Sequence, residues 1–129
     1  MGTKHLMDTN AVIEFLGGTL PTSGSQWVQN IIEDDLQHLS VINQIELLGF
    51  NGSPMEMKIL QEFIEATDIV SLSNPIVEKT IELRKNYKIK LPDAIIAATA
   101  LVHDFTLVSR NVSDFKRIVG LNCVDAHLM

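Results

Sequence analysis

One cysteine, Cys123, is all that the sequence contains. No internal disulfide is therefore possible, and the chain reads as suited to a reducing compartment, the cytoplasm. Aromatic residues make up only 5% of the chain, so stacking platforms of the kind that hold single-stranded bases are scarce. No apolar run reaches membrane-spanning length, and no membrane association is expected. The start of the sequence has no apolar core between a basic lead and a small-residue cleavage site, so no signal peptide is expected either. Histidines number four, His5, His38, His103 and His127, and none forms a ligand-spaced pair. A positive balance is missing as well: the net charge is −6, which argues against a surface that grips nucleic acid throughout.

What is present describes a globular chain. At 129 residues, 46% apolar and 20% charged, it is expected to form one domain over residues 1–129 with a substantial core. Its charge is unevenly spread. The stretch from Lys79 to Arg117 holds eight of the ten cations and four acids, a local balance of +4, and the remainder carries −10. Such a stretch can steer a polyanion, or it can be a solvated helix face.

Taken in order, Lys4–Met7 reads as a strand ending on Asp8, and Thr9 or Asn10 as the cap of a helix bearing Ala11, Val12, Ile13, Phe15 and Leu16. Ser23 or Ser25 is the expected start of a second helix with Trp27, Val28, Ile31 and Ile32 at helical spacing. His38–Val41 predicts a second strand. It feeds a helix on which Ile42, Ile45 and Gly49 share a face with Glu46, which is therefore expected to point inward. Ser53-Pro54-Met55-Glu56 has the cap, first-position proline and third-position glutamate of a helix start, and Met57, Leu60, Phe63 and Ile64 follow toward a partner surface. A brief strand at 68–70 precedes a helix from Asn74-Pro75 with Ile76, Val77, Ile81 and Leu83 apolar. A basic connection then leads to Leu91–Val102, a helix apolar almost all round, which belongs in a core. A strand at 106–109, a short helix capped by Asn111 and a last strand at 121–124 complete the chain. The pattern predicts an α/β fold: three α/β/α layers around a short, mostly parallel sheet of about four or five strands. Ligands of such sheets bind beyond the carboxyl ends of the strands.

Four acids fall near such places: Asp8 after the first strand, Glu46, Asp93 in the first turn of the apolar helix, and Asp114 after the fourth strand. Each has a structural explanation by itself, as a helix cap, an ion-pair partner, a helix-start charge and a partner of the Asn111 cap. Carboxylates that share a crevice raise one another's pKa unless a hard cation neutralises them. Magnesium suits a few carboxylates around an open site, and such a centre cuts phosphodiesters without a catalytic histidine.

The runs Leu6-Met7-Asp8-Thr9-Asn10, Ile45-Glu46-Leu47, Leu91-Pro92-Asp93-Ala94-Ile95-Ile96-Ala97-Ala98 and Ser109-Arg110-Asn111-Val112-Ser113-Asp114-Phe115 together resemble the PIN domain. More narrowly they are similar to the VapC-type toxins of bacterial toxin–antitoxin pairs. The resemblance runs from about Lys4 to Val124, with Ser109 standing where threonine is more usual. It implies an endoribonuclease dependent on Mg2+ (or Mn2+), with Asp8, Glu46, Asp93 and Asp114 in the acidic centre and Asn111 as an alternative to Asp114. It also implies supporting hydrogen bonds from Thr9 or Ser109, a VapB-like antitoxin whose C-terminal segment crosses the helices to reach the acids, and a homodimer. Arg84, Lys88, Lys90 and Arg110 are the candidate contacts to RNA phosphates. Two other functions compete. One is a PIN-like binding module with weak or no nuclease activity, using Trp27, Met55, Met57 and Phe63. The other is a small phosphotransfer protein; its phosphatase form wants an aspartate where Asn10 stands, and its receiver form a late lysine where Arg110 stands.

Overall fold

The computed structural model describes residues 2–129. Its sheet has five strands: β1 (His5–Met7), β2 (Gln37–Ser40), β3 (Asp68–Val70), β4 (Thr106–Val108) and β5 (Cys123–Val124). All pair in parallel, in the order β3-β2-β1-β4-β5. Seven helices surround it: α1 (Thr9–Leu16), α2 (Thr22–Glu33), α3 (Val41–Leu48), α4 (Pro54–Glu65), α5 (Asn74–Asn86), α6 (Leu91–His103) and α7 (Val112–Lys116). A 3-10 turn, Ala126–Leu128, follows β5.

Side chains alternate across a strand, and here that alternation builds two cores. Leu6 and Leu107 point to one face, where they meet Ile76 and Leu83 of α5, Ile96 and Ala97 of α6, and Phe115 of α7. Their neighbours Met7 and Val108 point to the other face, with Leu39, against Val12, Val28, Leu47 and Leu60 of α1 to α4. Of the helices, α6 is the most enclosed, with every residue from Ala94 to Ala100 buried. Its alanines let α5 lie close along it.

Strand order reverses at β1: the chain steps outward through β2 and β3, then returns to β4 on β1's other side. At such a reversal the connections leave the strand ends in opposite directions and open a crevice. β1 and β4 run level, with Met7 opposite Val108. Asp8 and Ser109 therefore emerge side by side at the crevice floor.

Several local expectations change. Asp8 itself caps α1 by accepting from the Thr9 backbone N–H, in place of Thr9 or Asn10. Helix α2 begins at Thr22, behind Pro21, without a side-chain cap. Glu46 lies on the exposed side of α3, and Ile45 is 63% exposed. The inward row is instead Asn43 and Leu47, one residue round from the expected one, because the Asn43 side chain turns in to close the capping box on the Ser40 N–H. Val77 and Ile81 are exposed on α5, where Ile76, Thr80 and Leu83 form the buried row. Asn111 precedes α7 without a side-chain capping bond. Trp27, Met57 and Phe63 are half-buried against the core, and Met55 alone of that group is exposed. The Ser53–Glu56 capping box is present as expected.

Candidate active site

Asp8 is fixed from two sides. Its Oδ1 accepts from the Thr9 N–H at 2.9 Å, and its Oδ2 accepts from Ser109 Oγ at 2.8 Å. Ser109 is buried, and its Oγ also accepts from the Asn111 N–H at 3.1 Å. The end of β4 thus holds the acid that ends β1. Glu46 is held through Thr9, whose Oγ1 donates to Glu46 Oε1 at 2.7 Å and accepts from Asn43 Nδ2 at 3.1 Å. Asn43 is fully buried, and its Oδ1 accepts from the Ser40 N–H at 2.9 Å. A chain of bonds therefore runs from the end of β2 through Asn43 and Thr9 to Glu46.

Asp93 sits in the first turn of α6, where a negative charge is favoured by the helix dipole. Its carboxylate has no hydrogen-bond partner among the described residues. With Asp8 and Glu46 it lines one cavity of about 230 Å³, together with Thr9, Asn10 and Ser109, and Arg110 and Asn111 complete the wall. Burial raises the pKa of Asp8; the bonds from Ser109 and Thr9 oppose that, and the charges of Asp93 and Glu46 add to it. Burial also raises Asp93, with Glu46 and Asp114 adding and Lys90 opposing. The three acids thus form one electrostatic unit, although no group of three His, Cys, Asp or Glu side chains among the described residues is gathered closely enough to form a ready-made ion site. The donor set is all oxygen and mutually repulsive, which fits a hard divalent cation better than a soft one.

Asp114 lines a second, larger cavity of about 560 Å³ with Arg84, Lys88, Lys90 and Arg117. Asp93 and Asn111 line both cavities and form the wall between them. Of the expected phosphate contacts, Arg84, Lys88 and Lys90 therefore lie in the basic cavity. Arg110 stands at the acidic one, 3.7 Å from Glu14, whose carboxylate also meets His127 Nε2. Two contributors escaped the sequence reading. Asn43 carried a signal, an amide three residues after the helix-capping Ser40 on an otherwise apolar face. Arg117 carried none, since its role depends on a loop 29 residues away.

The family model that matches residues 6–121 is that of the PIN domain. No curated protein sequence matches the chain. Among solved structures, a toxin–antitoxin complex from Klebsiella pneumoniae contains a chain 29% identical, aligned over 95% of this chain and 98% of that one with a TM-score of 0.76. VapBC2 from Rickettsia felis, bound to a DNA fragment from its promoter, matches at 23% identity and TM-score 0.81 over 95% and 98%. DNA-bound VapBC from Salmonella typhimurium matches at 21% and 0.79 over 97% and 99%. These last two likenesses are of fold.

Proposed function

The chain belongs to the PIN domain family, a family of nucleases, and from that membership we propose that it is a metal-dependent endoribonuclease and the toxin of a VapBC-type pair. The observation that carries this reading is the meeting of Asp8, Glu46 and Asp93, from three separate elements, around one cavity at the strand ends. Asp8, Glu46 and Asp93 would hold Mg2+ or Mn2+, with Asn111 of the shared wall, or Asp114 beyond it, completing the set. When bound, such an ion supplies water activation and neutralises charge on the phosphate.

The protein's own groups do the rest. Ser109 and the Thr9 N–H fix both oxygens of Asp8, so this acid is oriented before any ligand arrives. Thr9 does the same for one oxygen of Glu46. Asp93 has no such engagement, and its carboxylate and the second oxygen of Glu46 are the ones left open to a ligand or a proton. Arg110 draws the phosphodiester toward the acids.

The test is cleavage of labelled RNA by protein freed of any copurifying partner, titrated with magnesium or manganese. Asp8→Asn and Asp93→Asn are each expected to lower the rate at least about a hundredfold while circular dichroism stays native. Wild-type-like cleavage in either variant would overturn the assignment.

The antitoxin part of the reading rests on the Klebsiella chain, whose structure is a toxin–antitoxin complex, and on an apolar recess between α1 and α4. Ile13, Leu16, Phe50 and Ile59 line that recess, of about 130 Å³, and the exposed Ile13, Phe50 and Ile59 suit an apolar segment of an antitoxin. The same recess supports the alternative of a binding module, which predicts partner capture but no cleavage at any metal concentration. A cytoplasmic homodimer completes the proposal, and light scattering of the isolated protein tests its stoichiometry. Among the described residues no helix is long and apolar enough to cross a membrane.

A further inference from the structure

We infer that the basic cavity beside the acidic one is the subsite for the nucleotide next to the cut bond, held by its phosphate through Lys88 and Lys90 and not by its base. This deepens the ribonuclease reading and rests on it. The two cavities share Asp93 and Asn111, so a chain whose scissile phosphate lies at the acids has the basic cavity directly on the other side of that shared wall. At about 560 Å³ that cavity is within the usual span of ligand sites, on the order of 300–1,000 Å³.

Its four cations do not share one task. Arg84 Nη1 donates to the Ile89 carbonyl at 3.0 Å. Arg117 donates through Nη2 to the Lys88 carbonyl at 2.5 Å and through Nε to the Asp114 carbonyl at 3.2 Å. Tyr87 Oη accepts from the Val119 N–H at 3.2 Å. The two arginines and the tyrosine thus brace the loop between α5 and α6. Lys88 and Lys90, on that braced loop, are exposed, and their ammonium groups have neither an ion pair nor a hydrogen bond among the described residues. Holding the loop in place sets where their ammonium groups can reach, and an unpaired ammonium beside the shared wall is a phosphate contact.

No exposed aromatic ring stands there to hold a base. Phe115, the aromatic residue lining the cavity, is 1% exposed and spent on the core. A base entering this subsite meets no aromatic stacking platform, and both arginines are already engaged in bracing the loop. Selection on this side of the cut is therefore by charge.

A single-stranded oligoribonucleotide with one mapped cut tests this. A neutral methylphosphonate replaces the linkage one nucleotide to either side of the cut, one side at a time. On one side the neutral linkage is expected to raise the wild-type KM about tenfold with little change in kcat. Lys88→Ala/Lys90→Ala is expected to show the raised KM on unmodified RNA, with no further rise from the neutral linkage and a salt slope smaller by about two. Changing the base on that side is expected to alter KM by less than about threefold. The inference falls if the neutral linkage impairs the double variant as much as the wild type, or if a base change matters more than the missing charge; cleavage itself then stands. If wild-type protein cuts no RNA with either metal, the functional reading falls and takes this inference with it.

Discussion

Asp8 combines two duties that pull against each other. It caps α1 and so stabilises the helix, yet burial and the charges of Asp93 and Glu46 raise its pKa. A folded-state pKa above the unfolded one means that the folded protein holds its proton more tightly. Stability is then highest below the ordinary carboxylate range and falls as pH rises toward the raised value. At neutral pH, Asp8→Asn is expected to melt a few degrees higher than the wild type in chelator, since asparagine keeps the capping oxygen and loses the repulsion. The gain should shrink as the pH falls from the raised value toward about 4 and level off below it, and a melting series from acid to neutral pH checks both points. Cys123 feels the same field: burial pushes its thiol up to about 11, with Asp8 and Asp125 adding. Its alkylation by iodoacetamide at pH 8 is expected to lag well behind that of an unfolded control, because the thiolate is the reactive form. At this scale Asp8 and Asp93 were legible, since a strand end and a helix mouth both show in the pattern. The Thr9–Asn43 link was not, because it joins residues whose proximity is a property of the sheet.

Elements carry the next set of consequences. Asp93 rides on α6, whose seven consecutive buried residues anchor it across the core. Glu46 rides on the short α3, fixed through Asn43 and Thr9. The length and position of α6 were legible, because an all-apolar run of that length allows few other placements. The facing of α3 was not, because it is set by the Asn43 capping box at the end of β2 and not by the apolar periodicity. Gly24 shows how closely two elements approach: a Cβ there would strike the carbonyl oxygen of Ala126 in the closing turn. Gly24→Ala is expected to destabilise the protein by about 1–3 kcal/mol despite the better helix propensity of alanine. Urea unfolding measures it, and an unchanged midpoint would mean that the turn yields freely.

Over the whole molecule, alternation of short apolar strands with helices was enough to predict the layers and the end of the sheet at which Asp8, Glu46 and Asp93 line one cavity. Strand order was not legible, since five brief strands have many parallel arrangements and only packing selects one. The uneven charge was legible as a basic stretch, but its division into bracing arginines and exposed lysines depended on loop geometry. The level pairing of β1 with β4 has a further consequence, in time. Met7 and Val108 lie 101 positions apart, so closing the middle of the sheet is among the most long-range steps the chain must make, and such steps slow folding. Asp8 meets Ser109 only after that closure. A chain emerging from the ribosome at roughly 5–20 residues per second therefore spends several seconds with its first acid made and the floor of its site missing. During synthesis the crevice at the strand ends therefore cannot close before nearly the whole chain has been made.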